Sequence, residues 1–178
     1  MDSQRKQSKK SQALLQKLFD SNKDKVLDAL EQIPQQGNAG FVLPLLKTYM
    51  AWRTHHSIPD KVTLILYTLK TESAIPELMQ ALDMPEMSSI KPFVLSVFWN
   101  AGLIPSDLDV LIRHAIAGDY LTAFEVLTIV EQMEDSADAE IAQEGIFDID
   151  EHLEEQPEAS NAPVLLELKK QLMHFYNL

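Results

Sequence analysis

Cysteine is absent from the 178 residues. That removes disulfides, thiolate nucleophiles and cysteine-ligated zinc from consideration. Glycine is scarce, at 5 residues, and the β-branched residues are scattered rather than gathered into runs. Such a chain favours helices over strands. Long hydrophobic runs are missing too: segments such as 41–46 fall far short of the roughly 20 apolar residues a membrane-spanning helix needs. No apolar stretch follows the charged and polar residues 1–10, so nothing there reads as a signal peptide. The expectation is a cytoplasmic protein with no membrane segment.

Basic residues nearly vanish towards the C-terminus. Residues 131–178 hold two Lys/Arg against thirteen Asp/Glu, residues 26–130 hold six against eleven, and residues 1–25 reverse the balance with seven against three. The net charge of −12 therefore sits mostly at the C-terminal end. It disfavours nucleic acid and anionic lipid as partners over most of the chain. Only the head, with Arg5, Lys6, Lys9 and Lys10, suits phosphate, and a frayed, solvated helix start explains it as well.

With 46% hydrophobic residues the chain has enough apolar surface for a core, and its pattern is helical throughout. Asn22 is placed to cap a helix from Lys23 to about Gln32, with Val26, Leu27, Leu30 and Ile33 on one face. Gln35-Gln36-Gly37-Asn38 reads as a turn. A second helix runs from about Ala39 to Arg53, with Pro44 in its first turns or marking a bend there. Ser57 and Pro59 open a third, striped by Val62, Ile65, Leu66 and Leu69. Ser73 opens a fourth, through Leu82. A loop at 84–89 leads to a fifth from Ile90 that ends at Gly102. Ser106 caps a sixth, ending at Gly118. Asp119 caps a seventh with Leu121, Phe124, Leu127 and Val130 on one face. An acidic helix follows from about Ala137 to Glu154, then a linker over 155–161. Asn161 and Pro163 start a last helix through Tyr176.

Within this series the sequence repeats. Asp24-Lys25-Val26 recurs as Asp60-Lys61-Val62, 36 positions on, and Leu43-Pro44-Leu45-Leu46 recurs as Ile75-Pro76-Glu77-Leu78, 32 positions on. Lys91-Pro92-Phe93-Val94, then Leu108 and Leu111, form a weaker third copy. The unit is two helices over roughly 30–36 residues, the kind of period that marks a solenoid. Such a pair cannot bury its apolar face alone and must stack on a neighbour.

These residues resemble the HEAT-repeat family of α-solenoids. The signature pieces are Ile75-Pro76-Glu77-Leu78-Met79-Gln80-Ala81-Leu82 and Leu43-Pro44-Leu45-Leu46. Phe98-Trp99-Asn100-Ala101-Gly102-Leu103, Ala117-Gly118-Asp119-Tyr120 and Ala123-Phe124-Glu125 are similar to a bacterial HEAT-like group of unassigned function. The resemblance covers about residues 22–133. It implies an all-α chain of antiparallel helical pairs stacked as a short right-handed α-α superhelix of armadillo type. The expected layout is a frayed basic head (1–10), HEAT-like repeats (11–133) and an acidic C-terminal helical cap (134–178).

Catalytic constellations are lacking. His55 and His56 are neighbours, so on a helix they point about 100° apart, and a helix end suits their partial charge. Asp148-Ile149-Asp150-Glu151-His152 lacks the glycine and spacing of a calcium loop. Glu140 and Glu144 share a helix face in surroundings too polar to tune a general acid. No phosphate-binding glycine loop, GxSxG elbow or HExxH occurs. The expectation is a non-enzyme without metal or cofactor that binds another protein or peptide. Trp99 suits the core; Trp52 suits either inter-repeat packing or an exposed binding anchor. In the HEAT resemblance the second helices line the concave face, where Lys47, Gln80, Arg113 and His114 make a thin basic set suited to an acidic segment or a carboxyl terminus. The alternatives are a nucleic-acid-binding helical repeat and a helical accessory subunit of an enzyme.

Overall fold

The computed structural model describes residues 2–33, 39–133 and 138–176. The expected turn at Gln35–Asn38 and the stretch 134–137 lie outside them. The described residues form α-helices and short 3-10 turns, with no strand among them. The chain divides into two compact units, 1–90 and 91–178. That division falls inside the expected repeat region, and it groups the acidic C-terminal helices with those that precede them.

The first unit holds α1 (Asp2–Leu18), α2 (Lys23–Gln32), α3 (Val42–Ala51), α4 (Ser57–Tyr67) and α5 (Ile75–Asp83). The basic head thus belongs to the backbone of α1. Asn22 caps α2 by accepting the Asp24 amide, as its position in sequence suggests. Ser57 does not cap α4: it is the first helical residue, behind His56, and no side chain caps that end. Pro44 and Pro76 sit in the first turns of α3 and α5, where the missing amide has no helical acceptor to lose. Val26, Leu30, Leu45, Leu46, Val62, Leu66, Leu78 and Leu82 are all buried. At about 1.5–3 kcal/mol per buried aliphatic side chain, these contacts dominate the unit.

Helix packing sets the phase of the pairs. α1 packs on α2, and α3 packs on α4; α1 also touches α3, and α2 touches α4. The hairpins are therefore α1/α2 and α3/α4. The sequence suggests pairing the helices at 23–32 and 39–53, one helix out of phase. Its repeat finds equivalent helices correctly, since Asp24-Lys25-Val26 opens α2 and Asp60-Lys61-Val62 lies in α4. It carries no information on which neighbour each helix folds against. Across these joints Lys17 pairs with Asp28 at 2.7 Å and Lys61 with Glu31. The Lys17 ammonium draws the Asp28 pKa below its usual value.

The second unit holds α6 (Lys91–Ala101), α7 (Leu108–Ala117), α8 (Tyr120–Val130), α9 (Ala139–Glu155) and α10 (Ala162–Tyr176). Hairpins α7/α8 and α9/α10 stack through α7 on α9 and α8 on α10, and α6 lies on α8. Gly102 ends α6 at φ 67°. The Leu103 amide donates to the Phe98 carbonyl at 2.8 Å and the Gly102 amide to Trp99 at 3.3 Å, the paired bonds of a Schellman turn. Ser106 does not cap α7; Asp107 holds that position without a side-chain bond.

Between α7 and α8 only Gly118 and Asp119 intervene. A Cβ at Gly118 would stand 2.7 Å from the His114 carbonyl oxygen and 2.6 Å from Thr122 Cβ, so glycine is required. The last turn of α7 is then closed from a distance. Asn161, at the start of α10 and 2% exposed, donates from Nδ2 to the carbonyls of Ala115 (2.9 Å), Ile116 (3.1 Å) and Gly118 (2.9 Å). These helix-end acceptors have no intrahelical donor of their own. Replacing Asn161 with Ala should cost about 1–3 kcal/mol in urea unfolding, the penalty for orphaned buried acceptors. Asn161→Asp should cost more, because it sets a carboxylate against three carbonyl oxygens.

Candidate functional site

The five residues expected to meet a partner are divided between the units. In the first, Lys47 is exposed on α3 with its ammonium 3.9 Å from Glu86. Trp52 is half-buried just past α3, its ring 5.2 Å from that of His55. Gln80 is exposed on α5. In the second unit Arg113 and His114 are neighbours on α7 but differ in setting. Arg113 is exposed, 3.4 Å from Asp109, whereas His114 is half-buried and accepts at Nδ1 from the Lys91 ammonium at 3.2 Å. The five do not form one strip within either unit.

A different surface stands out on α8. The helix reads Tyr-Leu-Thr-Ala-Phe-Glu-Val-Leu-Thr-Ile-Val and is apolar on every side. A helix of that kind is normally enclosed. Here Thr122, Ala123, Val126, Ile129 and Val130 face inward. Tyr120, Leu121 and Phe124 face out, at 47%, 56% and 46% exposure. The stripe expected from the sequence through Leu121, Phe124, Leu127 and Val130 is therefore not the buried one: its first two members are on the surface.

Local structure fixes this face. Asp119 Oδ1 accepts the Thr122 amide at 2.8 Å and the Thr122 hydroxyl at 2.7 Å, which starts α8 and turns Thr122 inward. Tyr120 and Phe124 follow one helical turn apart with rings 6.3 Å apart and 10° from parallel. The one ionisable carboxylate in α8, Glu125, is turned to α6, where it accepts the Trp99 indole N–H at 2.7 Å. That bond leaves Trp99 half-buried and takes up the only charge α8 has to offer its outer face. Isolated exposed apolar residues elsewhere, such as Phe19 and Leu64, are ordinary for a protein surface. Three within one turn, two of them aromatic, are not. Leu166 and Met173, at 49% and 40% exposure, add apolar surface on α10, which packs beside α8.

The face has the chemistry of contact rather than of reaction. It presents two rings and a leucine, and its one polar group is the Tyr120 hydroxyl, with no carboxylate or imidazole from α8 beside it. Among the described residues no group of three or more His, Asp or Glu is placed to hold a metal ion, and no helix is long and apolar enough to cross a membrane.

The bonds from the Thr122 amide and hydroxyl hold the Asp119 carboxylate below its usual pKa. A lowered pKa means that the cap stabilises above the unfolded value and loses its effect as pH falls through the folded one. Asp119→Ala should therefore lower stability by about 1 kcal/mol near neutrality. In thermal melts taken at successive pH values, the gap to the unaltered chain should narrow below about pH 4.

Comparison of the chain with protein-family models, with curated proteins and with solved structures finds no match.

Proposed function

We propose that the chain is a non-catalytic protein-interaction scaffold, a short right-handed superhelix of HEAT-like hairpins that presents the outer face of α8 to another protein. Within each unit the seams join alternate helices, α1 to α3 and α2 to α4, then α7 to α9 and α8 to α10. That relation supports the solenoid reading, because stacked hairpins bury their apolar faces against the equivalent helix of the next hairpin.

The observation that carries the functional reading is the exposure of Tyr120, Leu121 and Phe124 on a helix with no unengaged charge. Clustered exposed apolar surface marks contact sites in soluble chains. Aromatic side chains make strong anchors because they bury much area for little lost rotamer freedom. The matching partner is a protein with an apolar helix face or groove, since the α8 face provides no ionic recognition.

The test is capture with the full chain as bait, then calorimetry with the purified captured protein. Leu121→Ser/Phe124→Ser should weaken that binding by about a hundredfold, or roughly 2.7 kcal/mol, with little change in melting temperature. Leu64→Ser makes the same polarity change on α4 and should leave affinity within about twofold. Equal binding by the double variant would overturn the proposal. So would a wild-type dimer in sedimentation that the double variant dissolves, which would give the face to a second copy of the chain.

A further inference from the structure

Helices α7 and α9 meet at a close contact. A Cβ on Gly145 would lie 2.4 Å from Ile112 Cδ1, so this glycine lets the α9 backbone come down onto α7. Beside the contact are two adjoining hollows of about 220 and 410 Å³ that share Arg113 and Asp148. Their floor is apolar, with Ile112 in one and Ile116 in the other.

Their rim is acidic in a regular way. Glu144, Asp148, Glu151 and Glu155 line the hollows from α9 at steps of four, three and four residues. That spacing keeps all four on one helical face, as a stripe about 16 Å long. Asp109 adds a fifth carboxylate from α7. Against these five stands one guanidinium, Arg113, already 3.4 Å from Asp109. His152 also lines the larger hollow, and its Nε2 is buried with no hydrogen-bond partner. An acidic segment, the occupant that Arg113 suggests in the sequence, would meet repulsion here.

We infer that the α7–α9 groove binds a Lys/Arg-rich helical segment of another protein. Charge complementarity sets the sign of the partner. The straight stripe with its helical spacing matches basic side chains repeated every three or four residues along one face of a partner helix. The apolar floor receives the aliphatic stems of those side chains while their heads reach the rim. The groove lies on α7 and α9 and does not depend on the α8 face, so each proposal can fail without the other.

The probe is a fluorescein-labelled helix-forming peptide of about 16 residues, with lysine and arginine spaced four, three and four apart. Fluorescence anisotropy with the full chain should show saturable binding that weakens as salt rises. Glu144→Lys/Asp148→Lys should weaken it about tenfold or more, and Glu151→Gln/Glu155→Gln by less. Glu72→Lys/Glu77→Lys adds the same charge to the first unit and should change affinity by less than about twofold. Circular dichroism melts confirm that each variant is folded. No saturable binding would overturn the inference. Equal loss in the two lysine variants would do the same, by reducing the effect to net charge. Displacement of the peptide by millimolar calcium or magnesium at constant ionic strength would give the carboxylates to a cation instead.

Discussion

Three carbonyls at the end of α7 have no helical donor, and a single buried carboxamide satisfies them. Asn161 reaches them from the start of α10, so the turn of one hairpin is closed from the turn of the next. This is a strong constraint because buried helix-end acceptors tolerate little displacement of their donor. It ties the start of α10 to the α7–α8 turn, and α10 packs beside α8 with the outer face of α8 exposed. Gly118 and the Asp119 cap act at the same junction and set the rotation of α8. The orientation of the exposed α8 face thus follows from how this junction is closed.

Charge and apolarity are separated in the second unit. The outer face of α8 carries rings and leucine, its one carboxylate engaged by Trp99. The carboxylates of α9 line the seam with α7, while Asp150, on the same helix, pairs with Lys169 of α10 at 2.7 Å. A chain with a net charge of −12 has acid to spare as a solvating coat. The acidic stripe is distinguished from that coat by its place beside an apolar-floored groove. Apolar burial decides where α7 and α9 touch, through Ile112 against Gly145, and charge decides what suits the space beside them.

Helices were legible wherever polar and apolar faces differ. Val26 and Leu30 predict the buried side of α2, and Asn22, Asp119 and Gly102 mark helix ends through local chemistry that needs no tertiary partner. Ser57 lies one residue inside the cap position of α4 and Ser106 one residue outside that of α7, and a hydroxyl caps only from the flanking residue itself, a register the sequence does not mark. The pairing of hairpins was out of reach, since stacked equivalent helices give the same periodicity in either phase. The α8 face was hidden for a related reason. A helix apolar all round has no preferred stripe, and its neighbours α6, α7 and α10 choose which side is buried. The weak asymmetry of α8 was itself the available signal. Gly145, by contrast, looked like an ordinary glycine in an acidic helix until Ile112 stood against it.

The most direct measurement places a photoreactive benzoylphenylalanine at Phe124 and, separately, at Leu64, and irradiates living cells expressing the full chain. A discrete adduct with another protein is expected from position 124 and none from position 64. No adduct at 124, or the same adducts from both positions, would contradict it.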